Sequence, residues 1–110
     1  MCTSIVEIAP ADGMAKGEKE WFPVTRSVVA YDHARHALLG DVITLDFINS
    51  DLPPGARAAV ELTLESAKAL RAALDKAIAE AEVEEAERAD SIARQKLAAA
   101  RRKVRARVEA

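Results

Sequence analysis

VITLDFINSDLPPG, residues 42–55, is the stretch on which the architecture turns. Val42 to Ile48 alternates, so Ile43, Leu45 and Phe47 share one face of a strand while Thr44 and Asp46 share the other. Asn49 to Gly55 is a turn-rich connection, because Pro53 and Pro54 cannot donate to a ladder and Asn49, Asp51 and Gly55 suit turns. The same stretch marks a break in composition. Cys2, Trp21, Phe22, Tyr31, His33, His36 and Phe47 all precede the double proline, whereas almost everything after Thr63 is Ala, Leu, Glu, Lys or Arg. The first half therefore reads as strands and loops and the second as helix, which confines site chemistry to the first half.

Working outward, Ala58, Val60 and Leu62 alternate against Arg57, Ala59 and Glu61 as a further strand. Upstream, Thr3 to Ile8 is a short β-rich run closed by Pro10 and the turn-forming Asp12-Gly13. Met14 to Glu20 is polar. Trp21 to Tyr31 then sets Val24, Val28 and Ala30 against Thr25, Ser27, Val29 and Tyr31, with Pro23 suited to a strand's first residues or an edge. Asp32 to Gly40 reads as a loop holding both histidines. Thr63 can cap a helix by accepting from a first-turn amide, and Glu65 complements the positive end of its dipole.

Ala67, Leu70, Leu74, Ala77 and Ala81 recur at steps of three and four, with Ile78 widening the stripe, so this face is expected to cover the sheet. Beyond Glu82 the chain has no Pro or Gly, and helix propensity persists to Ala110. The stripe changes there: Glu85 and Arg88 interrupt it, and Ala86, Ala89, Ala93, Leu97, Ala100 and Val104 form a slipped, thinner seam. The expected fold is α+β: a four-stranded antiparallel sheet covered by a C-terminal helix, with a charged helical extension. The expected division is a small α+β domain over 1–82 and the extension over 83–110.

Within 110 residues, net charge is −2, so no global basic field draws the chain to nucleic acid, and nucleic acid is not an expected partner. One cysteine cannot form an internal disulfide, and no apolar run suits a membrane span or signal peptide, so the cytoplasm is the expected compartment. Removal of Met1 would leave Cys2 with a thiol and an amine together.

Tyr31-Asp32-His33-Ala34-Arg35-His36 is the sharpest chemical cluster. Two imidazoles three residues apart can converge on one transition metal such as Zn, with oxygen from Asp32 or Asp46 and sulfur from Cys2. Alternatively the histidines form turn hydrogen bonds, with Asp32 orienting one ring, and Cys2 packs as a small hydrophobe. Trp21-Phe22 can stack on a ligand or anchor a loop to a core edge. Gly13 to Gly17 with Lys16 lacks the glycines of a phosphate-binding loop. In the tail, Glu80, Glu82, Glu84, Glu85, Glu87 and Asp90 precede Arg94, Lys96, Arg101, Arg102, Lys103, Arg105 and Arg107. That order complements the helix dipole and would pair acid with base between two antiparallel copies.

Met1-Cys2-Thr3, Lys16-Gly17, Trp21-Phe22-Pro23-Val24-Thr25, Tyr31-Asp32-His33 with His36-Ala37, Leu45-Asp46-Phe47, and Pro54-Gly55-Ala56-Arg57 form an ordered set over about residues 1–80. It resembles a family of short actinobacterial proteins of unknown function. The resemblance implies no activity and no role for Cys2, His33, His36 or Asp46, and the charged extension after Glu82 departs from it. The functional expectation is a non-catalytic interaction protein that self-associates or docks on a larger protein partner; the alternative is a metal-binding protein or metal-dependent enzyme using the His/Cys/Asp cluster.

Overall fold

The structure is a computed structural model that describes residues 5–36, 40–53 and 56–109. Strands β1 (Val6–Lys16), β2 (Trp21–His33), β3 (Asp41–Ile48) and β4 (Arg57–Leu62) precede one helix, α1 (Leu64–Glu109). The strands form one antiparallel sheet in sequential order, each joined to the next by a hairpin connection. This is the α+β class that the alternation and the helical periodicity imply. The chain divides into two compact units, Met1–Leu70 and Arg71–Ala110.

In the first unit, β3 is the strand the alternation identifies. Directly opposed residues share a face. The register therefore groups Val29, Tyr31, Ile43, Leu45, Val60 and Leu62 on one side, and Val28, Ala30, Thr44, Asp46, Ala59 and Glu61 on the other. Phe22, Val24 and Val42 are the buried apolar side chains among the described residues, and Val42 is 0% exposed. The edge strands β1 and β4 also approach one another, so the sheet is strongly coiled.

Two boundaries differ from the sequence reading. The first strand does not close at Pro10 and Asp12-Gly13 but continues to Lys16. A register shift between Pro10 and Gly13 absorbs the interruption. Pro10 is tolerated because β1 is an edge strand and its missing N–H costs no second ladder. The second strand runs on through Asp32 and His33, which pair with Val42 and Asp41, so His33 stands on the ladder and not in a loop. The β1–β2 turn closes by a hydrogen bond from the Gly17 amide to the Glu20 carbonyl at 2.9 Å. A Cβ at Gly17 would lie 2.9 Å from that same oxygen, so the close approach needs glycine.

Asn49 organises the β3–β4 connection. Its side-chain carbonyl accepts from the Asp51 amide at 2.9 Å, and its side-chain amide donates to the Pro23 carbonyl at 3.0 Å, tying the turn to β2. The buried polar group is thereby satisfied. Thr63 caps α1 as expected, its hydroxyl accepting from the Ser66 amide at 3.0 Å.

Along α1, Asp90 and Arg94 form an i,i+4 pair at 2.7 Å. In the single chain Leu70, Leu74 and Ile78 are exposed, as is every other large apolar side chain from Leu64 to Val108, at 38–78%. The sequence periodicity marks a face that gains from burial but does not say what buries it.

Val42→Ala is expected to lower unfolding stability by about 2 kcal/mol, the scale of removing buried methyl groups. Thr63→Ala is expected to cost about 1 kcal/mol and Thr63→Asp to restore most of it, both read by chemical denaturation.

Candidate functional site

Where β2 turns into β3, four interactions fix the polar end of the sheet. The Ala34 amide donates to the Gly40 carbonyl at 3.0 Å, and the His33 amide donates to Asp32 Oδ1 at 2.7 Å. The His33 ring lies with Nδ1 2.6 Å from Asp41 Oδ1, while the Tyr31 hydroxyl donates to Asp41 Oδ2 at 3.3 Å. Asp41 therefore orients the imidazole. Asp32, the expected partner of a ring, instead accepts from the backbone of its neighbour. The reason is the pleat: His33 and Asp41 are opposed on one face, whereas Asp32 points to the other.

Beyond His33 the chain bends back toward β4. The amides of Arg35 and His36 donate to Glu61 Oε2 and Oε1 at 2.7 and 2.9 Å. A carboxylate thus replaces the ladder for two successive N–H groups, and charge-assisted bonds of this length are the stronger kind. Next along the same face, Arg57 Nε donates to Asp46 Oδ1 at 2.7 Å. Asp46 is only 18% exposed, so its charge is held beside a cation on a partly covered surface.

These side chains enclose an open groove of about 520 Å³, lined by Asp32, His33, Arg35, His36, Asp46, Arg57 and Glu61 with Thr44, Ala59 and Val60 between them. Four of the sequence-predicted residues, Asp32, His33, His36 and Asp46, are brought to this one groove. They do not converge on a point: among the described residues, no three His, Cys, Asp or Glu side chains are grouped to hold a metal ion. Cys2 lies outside the described residues. Chemically, the groove offers imidazole, guanidinium and carboxylate groups on a rigid sheet face, which suits recognition of a polar, mixed-charge surface. Trp21 and Phe22 separate on the pleat, Phe22 entering the core and Trp21 standing 60% exposed.

The residues missed by sequence reasoning are Asp41 and Glu61, the two carboxylates that position the histidine segment. Glu61 left a local signal, a charged residue alternating between Val60 and Leu62 on the face of Thr44 and Asp46. Asp41 left none, because its role depends on the register of β2 against β3.

Glu61→Gln leaves one carbonyl oxygen for two amides. It is expected to cost about 1–2 kcal/mol and to speed hydrogen exchange at the Arg35 and His36 amides selectively, with the β2–β3 ladder unchanged.

No described helix is long and apolar enough to cross a membrane. No curated protein and no solved structure matches this chain. Residues 1–87 match the model of a family of unknown function, DUF6295, and the chain belongs to that family.

Proposed function

We propose that this protein is a non-catalytic, self-associating interaction protein of the cytoplasm, whose α1 is the surface on which copies meet. One observation carries the reading. Leu64, Leu70, Leu74, Ile78, Val83, Ile92, Leu97, Val104 and Val108 all stand substantially in water in the single chain. Singly exposed apolar residues are ordinary, but a helix that exposes all of them along its length has an unmet gain on association. Burying each Leu, Ile or Val is favourable by about 1.5–3 kcal/mol. The first unit supports the same reading, because a four-stranded sheet with three buried apolar side chains among the described residues gains little from its own core. Its two edges and its Ile43–Leu45–Val60 face also gain from company. A lone cysteine, unable to form an internal disulfide, fits a reducing compartment.

Size-exclusion chromatography with light scattering on the full chain tests this. A mass of two chains or more is expected, falling toward one chain in an Ile92→Asp/Leu97→Asp variant that keeps its helical circular dichroism. A mass of one chain across the accessible concentration range overturns it.

A further inference from the structure

We infer that α1 pairs with α1 of a second copy in antiparallel orientation, centred near Ala93, so that the acidic part of each helix lies against the basic part of the other. This rests on the self-association reading and specifies its geometry.

The first observation is a patch with a defined complement. Leu97, Ala100, Val104 and Val108 form an apolar strip edged by Arg101 and Arg105. Its occupant should be an apolar strip of similar length that carries carboxylates. That description fits the same helix a few turns earlier, where Glu82 and Glu85 are set among Ile78, Ala81, Ala86 and Ala89. Those earlier residues are exposed too, with Ile78 half in water.

The second observation is periodicity. Ala67, Ile78, Ala89 and Ala100 are eleven residues apart, as are Leu70, Ala81 and Ile92, and again Ala86, Leu97 and Val108. At 3.67 residues per turn these three rows stay within one broad face. The apparent slip of the seam after Glu82 is therefore the slow drift of an eleven-residue pattern on a helix of 3.6 residues per turn. The three rows share one face, with Glu82, Glu85 and Lys96 set among them, and a pair built on that face would wind with a right-handed twist. Alanine at many of its positions permits close approach of the two axes.

Charge fixes the orientation. With Ala93 level with its own counterpart, Ala89 meets Leu97, Ala86 meets Ala100 and Ile78 meets Val108. The same alignment brings the acidic stretch from Glu80 to Asp90 level with the basic stretch from Lys96 to Arg105 of the second copy. A parallel pair would instead set the Glu80–Asp90 segment against itself and the Arg101–Arg107 segment against itself, which is repulsive at both ends.

Cross-linking of single-thiol proteins tests the orientation. Ala86→Cys and Ala100→Cys are each placed in a Cys2→Ser background and treated with a short bismaleimide, separately and mixed. Antiparallel pairing sets residue 86 level with residue 100 of the second copy. It sets the two copies of residue 86 about 21 Å apart along the axis, at 1.5 Å per residue. The mixture should therefore yield a cross-linked dimer carrying one of each variant, and neither alone should yield one. Efficient linking of each variant to itself would mean a parallel pair and would overturn the inference. Light scattering that reports an assembly without any link would overturn it while leaving self-association intact; a monomer throughout would remove both. Independently of any variant, raising sodium chloride from about 0.05 to about 0.5 M should weaken the association several-fold, because the attraction is between exposed charges. Unchanged or tighter association would contradict it.

Discussion

A helix whose large apolar side chains all stand in water is the constraint to which the rest of this molecule answers. The stabilisation of a folded chain is the small difference between burial and conformational entropy, and α1 supplies almost none of the burial from within one chain. Its helical state draws instead on propensity: alanine is frequent, proline and glycine are absent after Gly55, the start is capped by Thr63, and acid precedes base along the dipole. Such devices keep a helix formed. They do not satisfy its apolar stripe, which is the ground on which self-association is proposed.

The sheet solves a different problem. Its ladders satisfy the backbone, but Phe22, Val24 and Val42 make a core of few residues among those described. Polar contacts then decide where the connections go. Asn49 ties the β3–β4 turn to β2, and Glu61 grips two successive amides of the segment after His33. Because Glu61 and Arg57 lie on β4, Asp46 on β3 and His33 on β2, the groove depends on the correct register of two ladders, β2–β3 and β3–β4. A register slip by one residue would turn Glu61 and Asp46 to the opposite face and dissolve it.

The local parts of this structure were legible in the sequence. Ile43, Leu45 and Phe47 against Thr44 and Asp46 define β3, Thr63 marks the start of α1, and the absence of breakers explains the length of the helix. The expectation that site chemistry lies before the double proline holds for Asp32, His33, His36 and Asp46 of the groove but fails for Arg57 and Glu61. What the sequence reading could not supply is non-local. Pro10 reads as a stop until β1 is known to be an edge, and His33 reads as a loop residue until Asp41 is known to lie opposite it. Glu61 reads as the outward residue of a strand until the β2–β3 connection folds onto it. Amphipathicity has the same limit: Leu70, Leu74 and Ile78 announce a face to be covered, with nothing local to tell a sheet from a second helix.

The central claim is that the folded state of this chain is stabilised by association through α1. Thermal unfolding followed by circular dichroism over about a hundred-fold range of protein concentration tests it most directly, because a partner that binds only the folded state raises the midpoint by mass action. A midpoint that climbs steadily with concentration is the predicted result. A midpoint that stays fixed across the range would contradict the account.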